Sequence, residues 1–532
     1  MHAESCSPTN HDHRAPLPAS RLGVYACLLA TAALLIFFRM HAFELPLETD
    51  ECNYAYIGGR LLDGDRLYED VWDHQPPGVF VMFAGLTALL GQSDTVIRWM
   101  ATGFSLASLA LIFHIARRSH GLEAGALAAA LFAIVSSDPG SAGEGCNREI
   151  YMNVFALAAV AILMRRDNRR HALLAGLLLG LGSTFKTVMA AQWLLLTLWA
   201  VARTWSREKR WRPAIATLFW LGTGPALVWS SVSLYFALTG RWTDFIDATF
   251  TFNIGYSGLE RGFFTRYLDF ATAKPYVFHS AMPLWIAAAI AFPSMLLLGR
   301  RRLAMADGAI LAYAFGSLQA VCLPGQFWPH YYYLLIPPVV LLCAPLPRLI
   351  MDRLRSFTGR TFVRTVSYTW LAAVLWYALI HYLLVEPNQI TAPRYDYRQQ
   401  WARAQGLRVG GVTDPGDTVF VWGKDVGVYR YSGRRCASRY TMVGALDEHA
   451  RGFQKRRDTL LAELKSRRPR IVLIVEEEFD ELTEFLQANY FVAGVDRDDD
   501  NPDKVIMLAL MDRAHPIERV DWEWRAPKPA PK

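Results

Sequence analysis

Leu47-Glu48-Thr49-Asp50-Glu51-Cys52-Asn53-Tyr54-Ala55-Tyr56-Ile57-Gly58-Gly59-Arg60-Leu61-Leu62, with Asp70-Val71-Trp72-Asp73-His74-Gln75-Pro76-Pro77-Gly78 shortly after, is the stretch on which the reading of this chain turns. It follows directly on an uncharged apolar run, Leu22 to Phe38. Thr49 or Asp50 can cap a helix running to about Leu62, with acids favoured in its first turn. Tyr54, Ile57, Leu61 and Leu62 fall close to one face, which suits a helix lying on a membrane. Two carboxylates at the start of such a helix sit where a lipid-borne substrate would present its headgroup.

Composition points the same way. The chain has 532 residues, 53% hydrophobic and 19% charged, with a mean hydropathy of +0.16. A soluble chain carries about 25% charged residues, so a single water-soluble enzyme is excluded, and the apolar content excludes disorder. Seven cysteines are too few for a disulfide-built scaffold. No repeat suggests a solenoid or propeller. The net charge of +7 requires no nucleic acid, because short basic runs between apolar segments orient membrane proteins.

Residues 22–385 hold one apolar run after another, at 22–38, 99–116, 121–137, 150–164, 171–185, 187–202, 213–237, 281–299, 303–323, 332–347 and 365–385. No small-residue cleavage site precedes Arg39, so the first run reads as an uncleaved span after a flexible cytoplasmic tail, residues 1–21. The basic clusters at 117–118, 165–170, 203–212, 300–302 and 348–364 should be cytoplasmic. They alternate correctly only if 76–91 stays on the outer face as a short interfacial or re-entrant helix. The prediction is a multi-spanning α-helical membrane domain of about eleven spans, with outer loops 39–98, 138–149, 238–280 and 324–331. Residues 386–532 should form an extracytoplasmic α/β domain, with strands near 417–423, 469–475 and 504–512, helices at 458–466 and 479–489, and a disordered tail, 527–532. No phosphate-binding glycine fingerprint occurs there.

The conspicuous polar residues fall on the outer loops. Asp50 and Glu51 could supply a base for an acceptor hydroxyl, or only a helix cap and a solvated charge. Arg148 and Glu149 stand where the second loop enters the fourth run; they read either as interfacial anchors or as partners of Asp50 and of a phosphate. Lys186 divides a stretch of about 30 apolar residues into two halves of a hairpin, where a lysine is expensive and suggests a phosphate ligand, or snorkels. His330, in Pro324-Gly-Gln-Phe-Trp-Pro-His330-Tyr331, and His74 could each donate to a phosphate or belong to the interfacial belt. The aromatic loop 250–270 could cover a lipid entrance or anchor at the interface. Cys52 and Cys146 share the outer side, where a bridge between the two loops is open to test. No His/Cys cluster has zinc spacing.

Taken together, these motifs resemble the GT-C membrane glycosyltransferases, above all the protein O-mannosyltransferases and the lipid A aminoarabinose transferases with their bacterial homologues. The resemblance rests on the Asp50-Glu51 loop, Tyr54-Ala-x-x-Gly58, Asp73-His-Gln-Pro-Pro-Gly78, Asn147-Arg-Glu149, Phe185-Lys186-Thr187 and Pro329-His330-Tyr331. It implies transfer of a sugar, hexosyl or pentosyl, from a polyprenyl-phosphate carrier to a lipid, glycan or protein acceptor at the outer face of a bacterial inner membrane. Asp50 matches the family's catalytic acid, with Glu51 its neighbour and Glu149 a second acid. Lys186, His74, His330 and Arg148 become the lipid-phosphate ligands. The family often carries Lys where this chain has Gln75, which shifts weight onto those four. No cofactor is required; the outer carboxylates could hold a divalent metal but do not demand one. Two other classes compete, a transporter or lipid flippase and a noncatalytic scaffold. A transporter would place ionisable residues at the bilayer midplane, whereas here they collect at one face.

Overall fold

The computed structural model describes residues 21–165, 168–257, 262–298, 306–354, 356–384, 397–448, 450–497 and 505–517. The expected N-terminal tail, the domain boundary at 385/386 and the C-terminal tail lie outside them, apart from Arg21.

Each of the expected apolar runs folds as a helix. These are α1 (Arg21–Met40), α4 (Asp94–His120), α5 (Leu122–Val135), α6 (Arg148–Leu163), α7 (Arg169–Ser183), α8 (Met189–Glu208) and α9 (Trp211–Leu238), then helices at Met282–Leu298, Ala306–Cys322, Ile336–Cys343 and Phe357–Leu379, while the first loop adds α2 (Thr49–Leu62) and α3 (Gly78–Leu90). Five helical segments among the described residues are long and apolar enough to cross a membrane: Leu22–Met40, Asp94–His120, Trp211–Leu238, Pro329–Met351 and Phe357–Tyr382. The chain is therefore a multi-spanning helical membrane protein. α3 has 13 residues, about 20 Å of helix, which falls short of a hydrocarbon core of about 30 Å and fits an interfacial helix.

Small residues set the closest approaches. A Cβ on Gly224 of α9 would lie 2.2 Å from the Gly176 backbone of α7, so these two helices pack with backbones in contact. A Cβ on Gly78 would lie 2.7 Å from the Thr184 carbonyl, to which the Gly78 N–H donates at 2.9 Å. That contact seats the end of the first loop on the α7–α8 turn.

The contacts sort the polar residues to two ends of the bundle. At one end His120 meets Asp307 at 2.8 Å, and Arg348 donates to the His120 carbonyl. At the other end the four outer loops converge beneath the C-terminal domain. The loop 238–280 is more ordered than expected, with short helices at Trp242–Ile246, Phe252–Tyr256, Phe263–Thr272 and Pro275–Ser280.

The C-terminal domain carries β1 (Thr418–Trp422), β2 (Arg435–Cys436), β3 (Ile471–Ile474), β4 (Tyr490–Arg497) and β5 (Val505–Asp512) in the order β2-β1-β3-β5-β4. β1 runs parallel to β2 and β3, whereas β5 is antiparallel to β3 and β4. The three expected strands form the buried centre. The two missed strands are its edges: β2 has only two residues, and β4 is half exposed, with register shifts around Gly494 and Asp496. β2 is too short to leave a pattern, whereas β4 does open with an apolar run, Tyr490 to Val495, directly after a helix.

The domain docks on the outer-loop end. Arg430 pairs with Asp94 at 2.6 Å, the Tyr431 hydroxyl donates to Asp94 at 2.8 Å, and the Cys436 N–H donates to the Tyr56 hydroxyl at 2.8 Å. The domain and the candidate site therefore share one side of the bundle.

Candidate active site

The site begins with the cap of α2. Glu48 is the N-cap, and its N–H donates to the Glu51 carboxylate at 3.0 Å, forming a capping box. Glu51 is 0% exposed. Its carboxylate also accepts the Cys146 N–H at 2.6 Å and faces Arg98 at 3.3 Å. Asn147 donates to Glu48 at 2.8 Å. The two acids flanking Asp50 thus fasten the first outer loop to the second. Arg39, at the end of α1, grips the same segment from below, donating to the carbonyls of Gly143 (2.7 Å), Glu144 (3.2 Å) and Gly145 (2.9 Å). Cys52 and Cys146 are free thiols, turned to the carbonyls of Leu47 and Ile97. The link between the two loops is therefore the Glu51 carboxylate and not a disulfide.

Asp50, between these staples, is the carboxylate left facing outward, with 32% of its side chain exposed. Its Oδ2 lies 3.9 Å from Arg148 Nη2, 4.0 Å from His330 Nε2 and 3.4 Å from the Tyr54 hydroxyl. Arg148 is buried, and its Nε and Nη1 have no hydrogen-bond partner among the described residues. Lys186, in the α7–α8 turn, pairs with Glu149 at 2.9 Å and stands 3.0 Å from the centre of the Tyr331 ring. Burial draws the Lys186 amine down to about 7, with Glu149 acting against the shift. One outward carboxylate thus adjoins a guanidinium, an ammonium and an imidazole delivered by separate elements. Buried guanidinium donors without a protein acceptor suit an anion such as phosphate.

Residues 74–236 match a family model described as dolichyl-phosphate-mannose-protein mannosyltransferase. No curated protein matches the chain. Among solved structures, the fold is similar to ArnT from Cupriavidus metallidurans bound to undecaprenyl phosphate, with a TM-score of 0.60 and 15% identity over 92% of this chain and 98% of that one. The apo form of the same enzyme gives 0.58, with 14% identity over 91% and 98%. The Archaeoglobus fulgidus oligosaccharyltransferase tethered to an acceptor peptide gives 0.50, with 12% identity over 85% of this chain and 69% of that one. The chain has the GT-C glycosyltransferase fold. The family-model match starts at His74 and ends at residue 236, so Asp50 and His330 lie outside it.

His74 takes a different place from the other candidates. Its ring packs against Phe252 and Tyr256, each 5.1 Å away, and bonds to the Gln75 amide. Burial, then Arg148 and Lys186, push its pKa down to about 3. Burial lowers His330 likewise, to about 4, so both imidazoles are neutral rings that can offer a phosphate an N–H but no charge. Asp73 beside it is buried; Asn53 donates to its Oδ2 and the Gln75 N–H to its Oδ1 at 2.8 Å. Burial raises its carboxyl to about 7 despite Arg148. Both contacts are stronger with the carboxylate than with the neutral acid, so an activity that depends on this turn should rise as pH climbs through about 7. A pH–rate profile checks this; a flat profile between pH 6 and 8 would count against a role for Asp73.

Several participants went unread in the sequence. Arg39 was taken as a span boundary, although a charge there is a standing hint of function. Tyr331 enters the sequence reading only as part of the Pro329-His330-Tyr331 motif, and Asn53 and Arg98 carry no assigned role there. Tyr68, Ala142 and Phe327 adopt φ values of 70°, 58° and 48°, so each of three site loops holds one non-glycine residue in the left-handed region, as functional loops often do. Among the described residues, no group of three or more His, Cys, Asp or Glu could hold a metal ion.

Proposed function

We propose that this protein transfers a glycosyl group from a polyprenyl-phosphate carrier to an acceptor hydroxyl at the extracytoplasmic face of a bacterial inner membrane. The observation that carries the reading is the outward Asp50 carboxylate set against a buried Arg148 with spare N–H donors. The crystal structure of ArnT, with the same fold, holds undecaprenyl phosphate, which supports a lipid-phosphate donor. The basic clusters of the opposite end support the orientation.

In this mechanism the acceptor oxygen attacks the anomeric carbon from the face opposite the phosphate. The bond from that carbon to the phosphate oxygen breaks, and its electron pair leaves with the lipid phosphate. Asp50 takes the acceptor proton, and the anomeric centre inverts. Arg148 and Lys186 bind the phosphate and stabilise its departing charge, and His330 offers it a neutral N–H donor. Glu149 holds Lys186 in place. Glu51 acts through position, by fixing Asp50 against Arg148. The sugar, hexosyl or pentosyl, and the acceptor are set by surfaces around this core.

Purified protein in lipid vesicles, given a panel of polyprenyl-phosphate sugars, should release bare lipid phosphate by mass spectrometry. Release that is absent for every donor and acceptor, despite intact folding, would overturn the reading. Glu51→Gln tests the division of labour between the acids. Loss of a buried, charged hydrogen-bond acceptor should destabilise the protein by about 1–3 kcal/mol, read as a lower midpoint in thermal unfolding. Residual transfer should stay well above that of Asp50→Asn, and a loss as complete as in that variant would make Glu51 a reacting group.

A further inference from the structure

The C-terminal domain enters the site through one hydroxyl. Its segment Cys436–Thr441 lies along the first outer loop, where the Trp72 N–H donates to the Arg439 carbonyl at 2.9 Å and Trp72 bridges to Tyr440. At the end of that segment the Thr441 hydroxyl donates to Asn53 Oδ1 at 2.8 Å. Both side chains are buried, Asn53 at 0% exposure.

An amide has one accepting end and one donating end, so its orientation follows from its partners. Asn53 offers its NH2 to Asp73, because a carboxylate only accepts. Its carbonyl then needs a donor, and Thr441 supplies it. Asp73 in turn fixes the Gln75 N–H at 2.8 Å, while Tyr68 donates to the Gln75 carbonyl at 2.7 Å and Asn253 to the His74 carbonyl at 2.7 Å. Asp50 and Arg148 both act electrostatically on Asp73, and Tyr54 and Tyr68 feel its charge. One member of this chain of bonds, the hydroxyl that donates to Asn53 Oδ1, lies outside the membrane domain.

We propose that Thr441 is a positioning residue of the active site: its hydroxyl fixes the Asn53 amide, and Asn53 in turn holds Asp73 and the His74–Gln75 turn against the reacting groups. The C-terminal domain is on this account a working part of the site and more than a cover. The kinetic part of the test rests on the glycosyl-transfer reading; the structural part does not.

The test uses the full-length protein with Thr441→Val, which keeps the shape and removes the donor. Turnover should fall about tenfold, the scale of one lost buried hydrogen bond, with KM for the polyprenyl-phosphate donor unchanged. The acid limb of the pH–rate profile should move to higher pH, because Asp73 loses an oriented donor to its carboxylate. Hydrogen–deuterium exchange should rise in the peptide Tyr68–Gly78, which contains the Gln75 N–H. Thr441→Ser should restore all three. Arg430→Gln, which breaks the rim contact with Asp94 and leaves the relay intact, should lower thermal stability without moving the pH limb. If Thr441→Val fails to fold, Thr441→Ala carries the same expectations. Wild-type turnover, pH limb and exchange in a folded variant that lacks the hydroxyl would overturn the proposal. If no donor is turned over by the wild type, yet exchange at Tyr68–Gly78 responds to Thr441→Val and recovers in Thr441→Ser, the relay stands and the transfer reading fails.

Discussion

Asp50→Asn should lower sugar transfer by about 10²–10⁴-fold, the range for loss of a general base, with normal folding and lipid binding. Asparagine matches the carboxylate in size and keeps a carbonyl toward Tyr54 and Arg148, so α2 and its capping box stay intact. What it cannot do is accept a proton. The flanking acids offer no replacement: the Glu51 carboxylate is occupied by Cys146, Glu48 and Arg98, and Glu149 pairs with Lys186. The loss should therefore appear in kcat, with little change in donor KM. Release of lipid phosphate, followed by mass spectrometry in variant and wild type, measures it. Transfer retained at wild-type rates would remove Asp50 from the reaction.

Arg148→Gln should be the second severe lesion, with a fall of about 10²–10³-fold in kcat, as for loss of one oriented donor to developing charge. Here donor affinity should also suffer, because the guanidinium acts on the phosphate before and during departure. Arg148→Lys should recover only a fraction, since an ammonium lacks the planar fork and its separate N–H directions. The comparison of kcat and KM across Gln, Lys and wild type checks the assignment. Equal activity of Lys and Arg variants would reduce Arg148 to a plain charge, and an unchanged Gln variant would leave phosphate recognition to Lys186 and His330.

The membrane architecture was legible because its physics is one-dimensional. Backbone groups in hydrocarbon must bond within their own helix, so every span announces itself as a local apolar run. Asp50, Lys186 and His330 could be read for a related reason: a charged or polar residue at the membrane boundary stands out against its neighbours. Glu51 was harder. Adjacent to Asp50 and chemically its equal, it differs only in direction, since α2 turns about 100° between successive residues. One acid faces the recess and the other faces Cys146 and Arg98. His74, between Asp73 and Gln75, reads equally as a phosphate donor or an interfacial residue, and only the tertiary structure sets its ring against Phe252 and Tyr256. The edge strand β2, with two residues, leaves no pattern to read, and the apolar run of β4 follows the helix Asp480–Asn489 without a turn signal between them.

What the amino-acid order determined by itself was the helical, multi-spanning character of the membrane domain, the α/β character of the C-terminal domain and the family resemblance. Each depends on residues close together in the chain. Only the tertiary structure decided which acid faces the recess, that Arg39 and Glu51 rather than a disulfide join the first two loops, and that Thr441 meets Asn53 across 388 positions of sequence. Those outcomes depend on long-range pairing of buried polar groups. A buried donor or acceptor must find a partner somewhere, but nothing local to it says where.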